Sequence, residues 1–138
     1  MQYYPARRRD GNEAERSRPG IEIRSAAPSE SEAIASVLYQ SFAEFRTFYT
    51  DEAFRATTLS SDGIRLRMDE GPVWIALHAG AIFGTVSAVP RGAALYVRGM
   101  AVLPSARGKG TGRLLLGHVE AFARAERYQS LILSTTPS

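Results

Sequence analysis

The segment from Leu95 to Leu116, LYVRGMAVLPSARGKGTGRLLL, constrains this chain more than any other. An apolar run rich in strand formers passes through a proline-containing link into Arg107-Gly108-Lys109-Gly110-Thr111-Gly112. A helical pattern starts at once: Leu115, Val119 and Phe122 fall on one face, Leu116 and Ala123 beside them, and Glu120 and Arg124 form an i,i+4 pair opposite. Glycines let backbone N–H groups approach an anion with no Cβ in the way. Those N–H groups are also the unpaired donors at the positive end of the helix. Arg107, Lys109 and Arg113 add charge nearby. The loop is therefore expected to hold a phosphate-like anion; the alternative is a glycine-rich turn with ordinary solvated charges.

Two phosphate loops fail on spacing. A G-x-x-x-x-G-K-[ST] loop is excluded because Gly110 follows Lys109 and Leu103 stands five places before Gly108. A G-x-G-x-x-G dinucleotide loop is weak because Leu115 stands where the third glycine belongs.

The remaining chain supplies a layered α/β frame. IEIR from Ile21 alternates as a half-buried strand does. Ser29 and Glu32 have the spacing of a capping box, and Ile34, Val37, Leu38, Phe42 and Phe45 follow at helical spacing. Thr50 is placed to cap a second helix, and a third spans about 62–70 before Gly71-Pro72 ends it. Two extended runs, 73–78 and 81–89, joined by Ala79-Gly80, read as a hairpin. Strands at 94–102 and 128–134 flank the loop and its helix. The order is β-α-α-α-β-β-β-α-β, an α/β domain with a mixed central sheet and helices on both faces.

With 138 residues the chain has room for one core. It has no cysteine, hence no disulfide, thiolate nucleophile or cysteine-metal site, and His78 and His118 have no ligand spacing, so no metal is expected. No apolar run approaches the roughly 20 residues that span a bilayer, and the N-terminus has no apolar secretory core, so a cytoplasmic protein is expected. The net charge of +3 is concentrated at the start: Arg7, Arg8, Arg9, Arg16 and Arg18 against Asp10, Glu13 and Glu15 give residues 1–20 a charge of +2, leaving +1 for the body. That near-neutral body argues against a nucleic-acid face. Residues 1–20 read as a flexible Arg-rich tail, and residues 21–138 as the domain. Deleting that tail would abolish any salt-dependent RNA binding.

The strand LYVRGMAV, the link LPSA and the loop RGKGTG resemble the acyl-CoA signature of the GNAT family of N-acetyltransferases. The family's loop is Gln/Arg-x-x-Gly-x-Gly/Ala, and Arg107, Gly110 and Gly112 occupy its three positions. The hairpin glycine Gly84 and the IEIR strand agree, and the resemblance covers roughly 21–135. It implies acetyl-CoA as acyl donor, with its phosphates on Arg107, Gly108, Lys109, Gly110, Thr111, Gly112 and Arg113. The thioester and its arm would lie along Met100, Ala101 and Val102. The implied reaction is direct attack of a primary amine, of a small molecule or peptide, on the thioester.

The resemblance leaves the catalytic groups open. Family members often place a Glu on the strand that here reads YVRGM; Tyr96, His78 and a backbone-held water are the substitutes. Glu44, Phe45, Tyr49 and Asp51 occupy the acceptor-binding region, where core packing explains the aromatics nearly as well. The family's acid, a Tyr on a helix after the last strand, and two further strands find no counterpart before Ser138, so the domain is expected to be C-terminally incomplete. A fragment, a degenerate gene and a partner chain completing the sheet are all compatible with that. The last strand would then be a bare apolar edge prone to self-association, as in a homodimer. A module that binds acyl-CoA with little or no turnover is the alternative function.

Overall fold

The computed structural model describes residues 2–5, 20–108 and 110–133, the first four as backbone only. Its six strands are β1 (Gln2–Pro5), β2 (Ile21–Ser25), β3 (Val73–His78), β4 (Ala81–Arg91), β5 (Ala94–Val102) and β6 (Ser130–Leu133). They form one sheet in the order β1-β6-β5-β4-β3-β2. Only β5 and β6 run parallel, across a connection that contains α4 (Thr111–Ala125). The helices α1 (Ser31–Phe42), α2 (Asp51–Thr57) and α3 (Ser61–Glu70) precede β3. From β2 onward the order matches the sequence reading. No helix among the described residues is long and apolar enough to cross a membrane.

Two cores cover the two faces of the sheet. Trp74, Ala76, Val86, Ala88, Leu95, Val97 and Leu131 pack with Leu115, Val119 and Ala123 of α4. Val73, Ile75, Leu77 and Ala101 pack with Ile34 and Leu38 of α1 and Ile64 of α3. Central β3 is buried on both sides, which is why it reads as an unbroken apolar run rather than an alternating one. The β3–β4 turn has positive φ at both central residues, Ala79 (50°) and Gly80 (80°), as a tight twisted hairpin requires.

The strand β5 changes face part-way. Its pairing with β4 runs Ala88↔Val97, then Ser87↔Gly99, so Arg98 is the extra residue of a β-bulge. Before the bulge, Leu95 and Val97 face α4; after it, Ala101 faces α1 and α3.

Three expectations change. Gln2–Pro5, read as part of a flexible tail, is a strand that pairs antiparallel with β6. The edge of β6 is thereby covered rather than bare. The arginines at 7, 8, 9, 16 and 18 lie outside the described residues, as do Lys109 and residues 134–138. The expected Ser29/Glu32 box is also not what starts α1. Glu30 Oε1 accepts from Ala27 N–H (2.8 Å), and both Glu30 carboxylate oxygens accept from Arg24, at 3.0 and 2.7 Å. Those bonds, Arg24's first, hold the Glu30 carboxyl below the usual carboxylate range.

Candidate functional site

The glycine loop follows a single 3-10 turn, Pro104–Ala106. Gly108 (φ 82°) and Gly110 (φ 78°, ψ 13°) are left-handed, a conformation that costs other L-residues about 1–2 kcal/mol. A Cβ at Gly108 would meet nothing within 4 Å, so the loop leaves open space beside it. Gly110 is the N-cap of α4 and has no side chain to offer, so no cap bond closes the helix start, and no acidic residue stands in the first turn. The first N–H with an intrahelical acceptor is that of Leu114, on Gly110 C=O at 3.0 Å. The N–H groups of Thr111, Gly112 and Arg113 are left as the orphan donors of this terminus. The Thr111 hydroxyl is buried and has no hydrogen-bond partner among the described residues. Exposed Arg113 lies in the same turn. This donor set suits a phosphate group.

The neighbouring stretch of β5 has no partner on its β6 side among the described residues. β6 pairs with β5 only from Ala94 to Val97, and residues 98–102 pair only with β4 among the described residues. Leu103 N–H donates to Phe83 C=O at 2.9 Å. Because an antiparallel ladder alternates, Ala101 and Leu103 aim their backbone groups at β4, while Met100 and Val102 aim theirs at the other side. Of the three residues read as lining the thioester arm, Met100 and Val102 thus offer backbone groups, and Ala101 is committed to β4 and the core. The Met100 side chain is 41% exposed, and its Cε lies 4.0 Å from where a Gly112 Cβ would be, beside the first turn of α4.

Arg107 is committed elsewhere. Its guanidinium donates to the Glu44 carboxylate and to Ser41 C=O, its Nε reaches Val102 C=O (3.3 Å), and it lies 5.6 Å from the Phe45 ring centre. It ties the end of α1 to the glycine loop. Glu44 and Phe45 are therefore brought to the loop, whereas Tyr49 packs edge-on against Phe54, 6.5 Å between centroids. Asp51 caps nothing itself but sits in the first turn of α2.

The two catalytic candidates are separated. His78 ends β3, two strands from β5, and its Nδ1 donates to Gly20 C=O at 2.7 Å. Tyr96 lies on β5 two residues before the bulge, in the stretch paired on both sides, with Arg91 4.2 Å over its ring.

Sequence reading missed one cluster. Arg67 of α3 points its Nη1 at Ser87 Oγ (3.4 Å) and would lie 2.7 Å from a Cβ at Gly99, so a side chain there would displace the end of the guanidinium. Arg98 donates to Glu70 Oε1 at 2.6 Å, while its Nε is buried with no partner among the described residues. Burial first, then the charge of Arg98, pulls the Arg67 guanidinium below its ordinary value, and Glu70 offsets this in part. A glycine inside a strand was the available signal of a bulge and a close approach.

A family model described as "Acetyltransferase (GNAT) family" matches residues 33–138. The chain belongs to the GNAT acetyltransferase family. Solved structures of similar fold include the PaiA N-acetyltransferase of Thermoplasma acidophilum in complex with coenzyme A, at 16% identity and a TM-score of 0.74, covering 83% of this chain and 79% of that one. A GNAT acetyltransferase of Brucella melitensis in complex with acetyl-CoA aligns at 18% identity and TM-score 0.71, over 86% and 77% of the two chains. The ribosomal-protein-S18-alanine N-acetyltransferase of Escherichia coli aligns at 15% and 0.69, over 86% and 68%. No curated protein matches the sequence. In this GNAT chain Arg107 links the signature loop to the end of β5 at Val102 and to the end of α1 at Ser41.

Proposed function

We propose that this GNAT chain transfers an acetyl group from acetyl-CoA to a primary amine of a small molecule or peptide. The observation that carries the reading is the bare N-terminus of α4, with two left-handed glycines leading into it and, beside it, a strand half of which has no second partner among the described residues. The phosphates would take the N–H groups of Thr111, Gly112 and Arg113, with the Thr111 hydroxyl and Arg113 near them. Gly108 would give the backbone its clearance. The arm of the donor would add to β5 through Met100 and Val102 as a strand would. One of these N–H groups would receive the developing oxyanion of the thioester carbonyl. The amine attacks that carbonyl, the C–N bond forms, the C–S bond breaks, and the amine's proton is released as the thiolate gains one. Tyr96 fits the proton-moving role better than His78, because it shares a strand with the proposed thioester segment and His78 is held at Gly20.

The test is calorimetric titration with acetyl-CoA of the wild type and Gly110→Glu, which sets a carboxylate among the orphan donors. Micromolar binding by the wild type, weakened about 100-fold or more in the variant, is expected. A folded wild type that ignores acetyl-CoA would refute the reading. Binding without turnover across a broad amine panel would favour the alternative, an acyl-CoA-binding module.

A further inference from the structure

All three guanidinium nitrogens of Arg107 have acceptors within the chain. Nη1 donates to the Glu44 carboxylate, Nη2 to Ser41 C=O, and Nε to Val102 C=O at 3.3 Å. Ser41 lies in the last turn of α1, the negative end of that helix, so one cation is shared by a carboxylate and a helix terminus. Val102 closes β5. One side chain therefore joins three separate segments to the start of the glycine loop. Glu44 belongs to a 3-10 segment, Ala43–Phe48, that contains no buried residue and leaves Phe48 80% exposed. A segment without core contacts takes its position from ties of this kind.

The tie acts one residue before the loop turns. Arg107 is extended (φ −69°, ψ 152°) and Gly108 is left-handed (φ 82°). Glycine gives the backbone wide conformational freedom, so a loop that meets an anion with its N–H groups binds better when its ends are fixed beforehand. α4 fixes the far end. We infer that Glu44 is a positioning residue for the donor: through Arg107 it fixes the near end of the glycine loop, and Arg107 serves as a tie rather than as a phosphate ligand. This rests on the acetyl-CoA reading of the loop. The sign of the effect separates positioning from charge. Glu44 is a carboxylate close to an anion site, and on charge alone its removal should tighten phosphate binding. As a positioning residue, its removal should weaken that binding. The coupling is reciprocal, so a donor held by the loop also steadies the segment 43–48.

The test is a double-mutant cycle on the full chain, read by titration calorimetry with acetyl-CoA. Glu44→Gln should weaken binding about 3–5-fold and Arg107→Gln about 5–10-fold, because the latter also loses the bonds to Ser41 and Val102. The double variant should bind no more weakly than Arg107→Gln alone, since both changes cut one tie. Arg107→Lys keeps the charge without the fork and should stay close to Arg107→Gln. The pair is half-exposed, so every variant should melt within about 5 °C of the wild type. Unchanged or tighter binding by Glu44→Gln overturns the inference, as does full recovery in Arg107→Lys, which would make Arg107 a phosphate ligand. Hydrogen exchange adds a readout that needs no donor. In the free protein, Glu44→Gln and Arg107→Gln should each speed exchange across both 43–48 and 105–108, and acetyl-CoA should slow exchange across 43–48 in the wild type only. Exchange unchanged in the free variants also overturns the tie. A wild type that binds no acetyl-CoA but shows the tie in its free-state exchange would strike only the donor reading.

Discussion

The starts of α2 and α3 differ from the start of α4 in every respect that concerns charge. Thr50 Oγ1 accepts from Ala53 N–H at 3.0 Å, and Ser60 Oγ accepts from Gly63 N–H at 3.2 Å. Asp51, Glu52 and Asp62 stand in their first turns. Those two helices satisfy their own positive ends. α4 is capped by a left-handed glycine, has no acid in its first turn, and carries Arg113 there instead. A helix end that a protein leaves unsatisfied is available to something else. The same terminus chemistry serves stability in one place and recognition in another, and which it serves is decided by one or two side chains.

The contrast can be broken from either side. Giving α4 an acid should do most. Gly108→Asp has room for its Cβ and a residue type that tolerates a left-handed backbone, so the fold should survive at a cost of about 1 kcal/mol. Its acetyl-CoA affinity should fall about 30-fold, or ~2 kcal/mol, by titration calorimetry. Unchanged affinity would mean that the loop is only a turn. Removing a cap from α2 should do the opposite. Thr50→Ala should lower unfolding stability by about 1 kcal/mol in a denaturant melt and leave acetyl-CoA affinity alone. A joint loss would show that the helical segment before β3 and the loop are one cooperative unit.

The smallest effect concerns Glu30, whose negative charge is held at the entry to α1 by Arg24 and Ala27 N–H. Its carboxyl is lowered in the folded state, so the stabilisation is full above the unfolded carboxylate range, about pH 4.3, and is lost as pH falls through the folded value. Glu30→Gln should therefore melt slightly below the wild type at pH 7, and the two curves should converge below about pH 4. A gap that persists at low pH would assign the effect to packing rather than charge.

What could be read beforehand was local. The glycine loop, α4 and the Thr50 cap are each specified within a few residues, and each is where the sequence put it. What could not be read was set by distant partners. Nothing near Arg107 shows that its charge will be taken by Glu44, 63 positions earlier. QYYP has no alternation of its own, and it is a strand because β6 offers it a ladder. Ser29 and Glu32 had the spacing of a box, but Glu30 is the residue within reach of both Arg24 and Ala27, and it took the role. Nothing near Arg67 in the sequence shows that its guanidinium will lie beside Gly99, 32 positions later.

The bulge at Arg98 makes residue number matter more than residue type along β5. One extra residue lets a single strand serve both layers of the protein, with Leu95 and Val97 in one and Ala101 in the other. A one-residue deletion there would not simply shorten the strand. It would reverse the parity of everything downstream, turning Ala101 toward α4, swinging the Met100 side chain into the opposite layer, and exchanging which backbone groups face away from β4. The tolerance of this strand to substitution and its intolerance of insertion or deletion should therefore be sharply different, and the frame of the strand, rather than any one side chain on it, is what the donor and the acceptor would both be aligned against.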